Sequence, residues 1–350
     1  LLILIAGCVA PTSRLPSVSD EVIEAERQKQ LDFATTSFVN ASTRLYAIAY
    51  PILEKGVPLC EKHRYATGFI AVNRYLYGEE LADSLQRTYS LSDALNVLAI
   101  VPGSAADKAG MRVGDAVVAI GGNRIMPGKK AMIEFGKVMN GRQYSSTDLT
   151  VLVERDSRQQ TLLLKPQQVC DYDVVLHPDT NAINAYADGE NIFITKRMMD
   201  FFESDNEAAL VIAHEIAHNA RDHIKAKQQN AMLGVLGGLL VDIAAAYGGV
   251  NTNGEFANQG GAIGARAYSV EFEKEADYVG LYFMARAGYD IQGVERFWRR
   301  MALQNPNAIT LQTTHPSSPE RFLLMGKTTQ EIEQKQLKGL PLLPEEMPKQ

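Results

Sequence analysis

The chain has 350 residues, which is enough for about two domains. Hydrophobic residues make up 46% of it and charged residues 22%, proportions that are typical of a globular protein. The formal net charge of −6 offers no basic surface to a phosphate backbone, so we expect no nucleic acid partner.

The N-terminus has the features of a targeting segment. Residues 1–8 are apolar and end in Ile5-Ala6-Gly7-Cys8, which resembles a bacterial lipobox with Cys8 as the lipidated residue. They are too few to span a bilayer, and the chain starts without Met, so we expect the true start to lie upstream. An ordinary signal peptide, or an apolar end with an incidental Cys8, is the alternative. Residues 9–19 are predicted to be a tether, and Val9 after the cysteine resembles outer-membrane lipoproteins of Gram-negative cells.

Residues 20–58 form the next predicted unit. Ser19 or Asp20 can cap a helix over 20–55, and its apolar positions indicate packing on the C-terminal domain.

Residues 59–170 read as a β-rich domain. A Pro-Gly turn at 102–103 precedes a short helix that Ser104 and Asp107 can cap, and a strand over 116–120 then ends in a Gly-Gly hairpin turn. A helix over about 129–139 and two alternating strands follow.

This succession resembles the PDZ domains of bacterial periplasmic proteases. The resemblance implies that an extended peptide adds to a sheet edge, with its carboxylate held by a backbone loop. The candidate groove residues are Gly68, Phe69 and Ile70 in the loop and Met132 and Phe135 on the helix. A PDZ fold that acts only as a spacer or lid is the alternative.

Three cysteines are present, and assigning Cys8 to a lipid leaves Cys60 and Cys170. An even pair suits the oxidising periplasm, and we expect a disulfide between them because domain ends often lie close together. Two buried free thiols are the alternative.

The sequence HEIAH at 214–218 is the strongest chemical signal in the chain. On a helix, capped by Ser204 or Asp205, residues four apart share one face, so His214 and His218 can bind one zinc ion. Glu215 can then act as the general base toward water. The alternative is that both histidines are ordinary helix residues.

A third ligand is expected on a later helix. The metzincin pattern fails because Arg221 and Ile224 occupy the positions where it needs Gly and His. Glu273 and Asp277 are four apart on a predicted helix, so Glu273 is the expected third ligand. Asp277 would then orient a ligand imidazole. We expect one Zn²⁺ per chain.

These motifs resemble the zinc metallopeptidases that include HtpX, the CAAX prenyl proteases and periplasmic relatives such as BepA. The match covers about residues 171–325 and includes HEIAH, the EKEAD element at 273–277 and Thr314-His315-Pro316 with Arg321. The segments 184–187 and 192–195 look like the family's edge strand, along which substrate would lie. Val270 departs from the family, which commonly has Arg at this position.

By the same resemblance, His315 could stabilise the oxyanion, with Arg321 holding its loop or the substrate backbone. A His before Pro is otherwise a capping or packing residue. We interpret His63, His177 and His223 as structural.

The apolar, Gly-rich segment 231–250 is interrupted by Asp242, so we expect a partly buried helical hairpin beside the active site, with membrane contact as the alternative. The C-terminal tail, 331–350, is predicted to be frayed from Gly339.

The sequence therefore predicts an α+β protein, in which a mainly helical zincin-like metallopeptidase domain over 171–330, with a small edge sheet, accompanies the PDZ domain. The expected function is that of a lipid-anchored zinc endopeptidase that faces the periplasm from the outer membrane and cleaves misfolded or unassembled envelope proteins, with unfolded or extended polypeptides as substrates. The alternative is a chaperone or assembly factor that binds clients through its PDZ domain while proteolysis is latent.

Overall fold

The structure, a computed structural model, describes residues 12–141, 145–247, 250–266, 269–304 and 319–347. The predictions for Cys8 and His315 lie outside the described residues.

Helices and several small sheets alternate along the chain, in agreement with the predicted α+β class. The helices are α1 (Asp20–Lys55), α2 (Ala82–Tyr89), α3 (Ala105–Lys108), α4 (Ala131–Asn140), α5 (Lys196–Phe201), α6 (Asp205–Ala220), α7 (His223–Tyr247), α8 (Glu255–Arg266), α9 (Ser269–Ala287), α10 (Glu295–Gln304) and α11 (Pro319–Leu337). The strands are β1 (His63–Ala66), β2 (Phe69–Val72), β3 (Leu95–Ile100), β4 (Ala116–Ile120), β5 (Asn123–Arg124), β6 (Leu149–Arg155), β7 (Arg158–Leu164), β8 (Gln167–Cys170), β9 (Asp173–His177), β10 (Ala185–Ala187) and β11 (Asn191–Thr195).

The N-terminal helix α1 has the predicted extent, with Ser19 in extended conformation at its N-cap. Its C-terminal half is buried, and Leu45, Ile48 and Ile52 join the core that also contains α6 and α9. The same helix packs against α2 of the β-rich region. It therefore links the two parts of the molecule.

The β-rich region contains a sheet of order β2-β3-β4-β6-β7, with β5 paired to β4. Its turns form as the sequence predicts. The Ser104 hydroxyl accepts a hydrogen bond from the Asp107 amide at 3.4 Å, capping α3. Gly121 and Gly122 both have positive φ in the turn between β4 and β5. Helix α2, in the stretch before β3, was not predicted.

Strands β1 and β8 close the base of this region by pairing antiparallel, with His63 opposite Cys170. Cys60 and Cys170 are buried and disulfide-bonded, with Cα atoms 5.8 Å apart, which confirms the predicted pair. The bond ties together two points 110 residues apart in sequence, one on each side of the β-rich region. The domain boundaries at 58–59 and 170–171 stay predictions.

The small sheet beside α6 has the order β10-β11-β9. The prediction that residues 192–195 lie at the sheet edge is wrong, because β11 pairs with β10 on one side and with β9 on the other. The edge strand that packs against α6 is β10. The sequence could not show this, since β9 pairs in parallel with β11 although β10 lies between them in the chain.

The prediction that segment 231–250 forms a helical hairpin by itself is wrong, because residues 231–247 belong to the single helix α7. Helix α7 instead forms a hairpin with α8, and this hairpin is not partly buried. Of the 25 residues of α7, only His223 and Asp242 are buried. The two helices of the hairpin pack closely on each other through glycines, and α8 has no buried residue.

The C-terminal segment also differs from the prediction. Helix α11 continues to Leu337, across the position where a tail was expected to begin. Beyond it, the Leu342 carbonyl accepts a hydrogen bond from Arg286 at 3.1 Å, and the Glu345 amide donates to the Tyr278 hydroxyl at 2.9 Å. These side chains of α9 hold a segment that has no regular structure of its own.

Replacing both Cys60 and Cys170 with Ala should lower the free energy of unfolding by about 2–5 kcal/mol, because the disulfide restricts a long loop in the unfolded chain. Urea unfolding measures the loss, and Cys8→Ala serves as the matched control with no expected change. Peptide mapping without reductant that finds both thiols free in periplasmically exported protein would contradict the disulfide.

Candidate active site

Helix α6 places two histidines in the protein interior. The Ser204 hydroxyl accepts a hydrogen bond from the Glu207 amide at 3.3 Å, and the helix is buried from Ala208 to Asn219. His214 and His218 lie one turn apart, with 1% and 2% of their surfaces exposed. Buried polar groups need partners, so both rings must be satisfied by neighbouring side chains.

Helix α9 crosses α6 at the first of these histidines. A Cβ at Gly280 would lie 3.2 Å from the backbone nitrogen of His214, so the crossing is as close as it is because residue 280 has no side chain. Two turns earlier on α9, Glu273 is fully buried. The crossing therefore brings a carboxylate from α9 to the imidazoles of α6.

The three side chains form a compact triangle. The Nε2 atoms of His214 and His218 are 3.2 Å apart, and each lies 3.3 Å from a carboxylate oxygen of Glu273. Ligands about 2.0–2.1 Å from a tetrahedral zinc ion are about 3.3 Å from one another. The donor set and its spacing thus fit zinc, and these three residues form a cluster that can hold a metal ion.

The electrostatics of this cluster favour a cation. Burial lowers the pKa of His214, but hydrogen bonds with Asp277 and Glu273 outweigh it and raise that pKa to about 9. The field that holds a proton on the imidazole also stabilises a divalent ion between the same groups.

Asp277 and Arg321 support His214 from behind. The Asp277 carboxylate lies 3.0 Å from Nδ1 of His214 and accepts two hydrogen bonds from Arg321, at 2.6 and 2.8 Å. This bidentate pair fixes the Asp277 carboxylate in place. Because the carboxylate contacts Nδ1 of His214, the Nε2 atom of that ring faces the cluster. Arg321 is buried and engaged with Asp277, and the loop at 314–316 that it was expected to hold lies outside the described residues, so that role stays a prediction.

His223 supports His218 in the same way, so its interpretation as a merely structural residue is wrong. Its Nδ1 lies 3.0 Å from Nδ1 of His218, and its Nε2 lies 3.0 Å from Glu275. If Nε2 of His223 donates to Glu275, its Nδ1 can accept from His218, whose Nε2 is then free of a proton. The hydrogen bond from His223 lowers the pKa of Glu275.

The reason for the error is the turn after α6. A straight helix would carry His223 away from the cluster, but the chain ends α6 at Ala220, and Asp222 adopts a positive φ of 53°. Helix α7 then starts in a new direction and returns His223 to His218. Phe272 stacks on the His223 ring at 4.7 Å.

Two further residues near the cluster were missed. Trp298, the one tryptophan in the chain, lies 5.2 Å from the His214 ring and under the Arg321 guanidinium. Asn219 accepts a hydrogen bond from the Gly189 amide at 2.8 Å and donates to the Asn191 carbonyl at 3.1 Å. Asn219 thereby fixes the turn between β10 and β11 to the helix that carries His218. Its position directly after HEIAH was the available sequence signal.

Glu215 is buried beside the ligands. Burial lowers the pKa of Arg321, but the negative charges of Asp277, Glu273 and Glu215, in that order, outweigh it and raise that pKa. The two remaining described histidines have structural partners. His63 Nε2 lies 3.0 Å from the Val57 carbonyl, and His177 Nδ1 accepts from the Asp179 amide at 3.3 Å.

The five candidate groove residues of the β-rich region lie together. Phe69 is buried, its ring is 5.9 Å from that of Phe135, and Met132 packs against the clusters that contain Phe69 and Ile70. Gly68 has φ of 79°, and a Cβ there would collide with Ser104 at 2.1 Å. Glycine is thus required in this loop by its packing on α3.

Two histidines one turn apart and a glutamate from a crossing helix define the site of a zincin-type metalloprotease. A family model described as "Peptidase family M48" matches residues 146–327, which is more than half of the chain, and the chain belongs to this family. Membership of a metalloprotease family implies zinc, in agreement with the prediction. A model for the PDZ domain matches residues 97–153.

Curated relatives match about two fifths of the chain. The beta-barrel assembly-enhancing protease of Yersinia pestis is 29% identical over 41% of this chain and 32% of its own length. A putative protein of that name from Vibrio cholerae is 33% identical over 40% of this chain and 31% of its own length. The mitochondrial metalloendopeptidase OMA1 of Saccharomyces cerevisiae is 29% identical over 44% of this chain and 45% of its own length. The matches thus span less than half of each relative.

Among solved structures, the HtrA3 PDZ domain bound to a phage-derived ligand matches 31% of this chain and 88% of its own, at 17% identity and a TM-score of 0.23.

Zinc content should depend on Glu273. We expect Glu273→Ala to lose most of the metal, because it removes one of three protein ligands. Metal analysis measures this, and zinc titration followed through the fluorescence of Trp298 provides a second readout at the site. Glu271→Ala, an exposed neighbour on α9, is the matched control. Full zinc occupancy in Glu273→Ala would show that the third ligand is assigned wrongly.

His223→Ala should weaken zinc binding by about 10–100-fold while all three ligands remain, because His218 loses the group that orients it. Competition with a chelator measures the affinity. His63→Ala, which removes a histidine distant in sequence from the site, should leave it unchanged. Equal affinities for His223→Ala and the unmodified protein would reject the orienting role.

Proposed function

We propose that this chain is a zinc-dependent endopeptidase that cleaves extended segments of unfolded or unassembled polypeptides in the bacterial envelope. The observation that carries the proposal is the buried triangle of His214, His218 and Glu273, with Glu215 next to the first ligand on α6. The names of the relatives, beta-barrel assembly-enhancing protease and metalloendopeptidase, support the same activity.

Glu215 is the proposed general base. A zinc ion at the cluster would supply a Lewis acid that polarises water and the substrate carbonyl. Glu215 removes the proton from the attacking water and later delivers it to the leaving amine, so that one carboxylate serves both steps. Asp277 and His223 would accept the Nδ1 protons of His214 and His218, which leaves the Nε2 atom of each ring to hold the metal. His315 is the proposed partner of the developing oxyanion.

The substrate is proposed to add to the free edge of β10. The Asn184 carbonyl accepts from the Thr195 amide at 3.0 Å, and the Asp188 amide donates to the Asn191 carbonyl at 3.1 Å. Because hydrogen-bonding direction alternates along an antiparallel strand, the backbone groups of Ala185 and Ala187 point away from β11. An extended peptide can pair with these groups in any sequence, which suits a protease that acts on unfolded chains.

Asn219 sets the register of this pairing relative to the metal. It joins the end of β10 to the residue after His218, so a peptide on β10 is held at a fixed distance from the cluster. Fixing a substrate in this way contributes to rate by reducing the entropy lost at the transition state.

The PDZ domain and the cellular location complete the proposal. The loop at Gly68 and the residues Met132 and Phe135 would bind a second segment of the same polypeptide. The Cys60–Cys170 disulfide supports an oxidising compartment such as the periplasm. The lipobox-like sequence ending in Cys8 supports a lipid anchor, with the protein facing the periplasm from the outer membrane.

Glu215→Gln should retain zinc and stability but lose cleavage of an unfolded protein such as casein by several orders of magnitude, because only the base is removed. Metal analysis and urea unfolding verify the intact site, and a cleavage assay measures the loss. Glu207→Gln on the same helix is the control for a change of charge. Undiminished cleavage by Glu215→Gln would refute the mechanism, and zinc-loaded protein that never cleaves would favour the chaperone alternative.

A further inference from the structure

The hairpin of α7 and α8 exposes an apolar surface that the proposed peptidase chemistry does not use. One side of α7, here called its outer face, consists of large apolar residues that the structure leaves exposed: Met232, Leu233, Val235, Leu236, Leu239, Leu240, Ile243 and Tyr247. At 100° per residue these positions cover about 160° of the helix circumference. Leu240 is 69% exposed and Tyr247 is 92% exposed.

The packing inside the hairpin does not use these residues. A Cβ at Gly234 would lie 1.9 Å from the Gly260 carbonyl oxygen, and one at Gly238 would lie 1.9 Å from that of Phe256. The helices therefore touch through backbone, which is how helices associate when lipid rather than water surrounds them. In water, a seam of this kind buries little apolar area and leaves the leucines uncovered.

The one charged side chain within residues 231–247 is turned into the hairpin. Asp242 accepts hydrogen bonds from the Thr252 hydroxyl and from the Phe256 and Ala257 amides, at 3.3 and 2.9 Å for the two amides. Its charge thus caps α8 and does not reach the outer face. By length and composition alone, α7 is the one helix in the described part of the chain that could cross a membrane.

The composition of α8 indicates that the hairpin lies in the membrane surface and does not cross the bilayer. Its side opposite the seam carries exposed Glu255, Asn258, Gln259 and Arg266, which could not enter hydrocarbon without cost. The hairpin is therefore apolar on α7 and polar on the side of α8 opposite the seam, while Phe256 and Ile263 add exposed apolar side chains on the flank of α8. Exposed Lys225 continues the outer face two turns before Met232, where it would meet anionic headgroups.

We propose that the hairpin docks on an anionic lipid bilayer, with the outer face of α7 in the boundary between headgroups and acyl chains and α8 toward water. A helix whose apolar face is this wide and free of charge fits lipid better than a protein groove, which needs only a narrow stripe of anchors. Insertion by about 5–10 Å is typical of such in-plane helices.

Docking would place the proposed cleavage site at the membrane. Helix α7 starts at His223, which contacts His218, and α8 is followed by the helix that carries Glu273. The hairpin therefore connects the two helices of the metal cluster. The lipid-binding inference itself does not rest on catalysis and is tested without an activity measurement.

The test uses a fluorophore whose emission reports its local polarity. The full-length chain carries Cys8→Ala, so that no lipid can be attached and the remaining native cysteines are in the disulfide. Leu233→Cys on the outer face, or Val113→Cys on the PDZ domain with a similar exposure of 65%, is then labelled with NBD. Vesicles of phosphatidylcholine and phosphatidylglycerol, with and without a spin-labelled quencher lipid, are added to each.

We expect vesicles to shift the NBD emission at position 233 to the blue, and the spin-labelled lipid to quench it. The emission at position 113 should show neither change. Adding Leu236→Glu and Leu240→Glu should raise the lipid concentration needed for half the response by at least about tenfold, because apolar burial is replaced by charge. Val113→Glu, the matched control in the chain labelled at position 233, should leave it unchanged. Both leucines are exposed, so their replacement does not disturb a core.

Two results would overturn the proposal. If adding vesicles leaves the emission at position 233 unchanged, or changes the emission at positions 233 and 113 equally, the hairpin is not a lipid-docking element. Emission that changes with protein concentration in the absence of vesicles, together with a doubled mass in light scattering, means that a second copy of the chain covers the outer face.

Discussion

The close crossing of α6 and α9 is the constraint on which the rest of the structure depends. Gly280 lets the backbone of α9 approach His214, and this approach sets where Glu273 and Asp277 lie. The two carboxylates occur one turn apart, so one reaches the ligand side of His214 and the other its Nδ1 side. A wider crossing would separate the third ligand from the two histidines. Packing of an apolar core, which includes Ala213, Ile216, Ala276 and Val279, thus determines the geometry of a polar site.

Each histidine of the cluster is oriented by a different kind of partner. Asp277 fixes His214 and is itself held by Arg321, so this arm consists of buried charges that balance one another. His218 is oriented by His223, whose other ring nitrogen contacts Glu275 at the surface. The buried arm is rigid, whereas the second arm ends at a carboxylate that is about half exposed. Changes at the start of α7 therefore reach the metal site through His218 more directly than through His214.

Two insertions give this small core its additional surfaces. The β-rich PDZ region lies between α1 and the peptidase sheet, and the β1–β8 ladder and the disulfide hold its two ends together. The α7–α8 hairpin lies between the two ligand helices and is held together by glycine contacts and the cap from Asp242. Both insertions return the chain to the point where it left the core, so each can carry a binding surface while the metal ligands stay in register.

The sequence by itself determined the features that depend on local spacing. The helix over 205–220 with its Ser204 cap, the histidines one turn apart and the turns of the PDZ region follow from neighbours in the chain. Tertiary structure alone decided which strand lies at the edge, that His223 returns to His218, that Arg321 binds Asp277, and that Trp298 covers His214. These contacts join residues from separate elements, and their formation depends on a helix direction or a strand pairing that no local pattern encodes. Exposure of the hairpin belongs with them, because an apolar segment has the same sequence whether protein or lipid covers it.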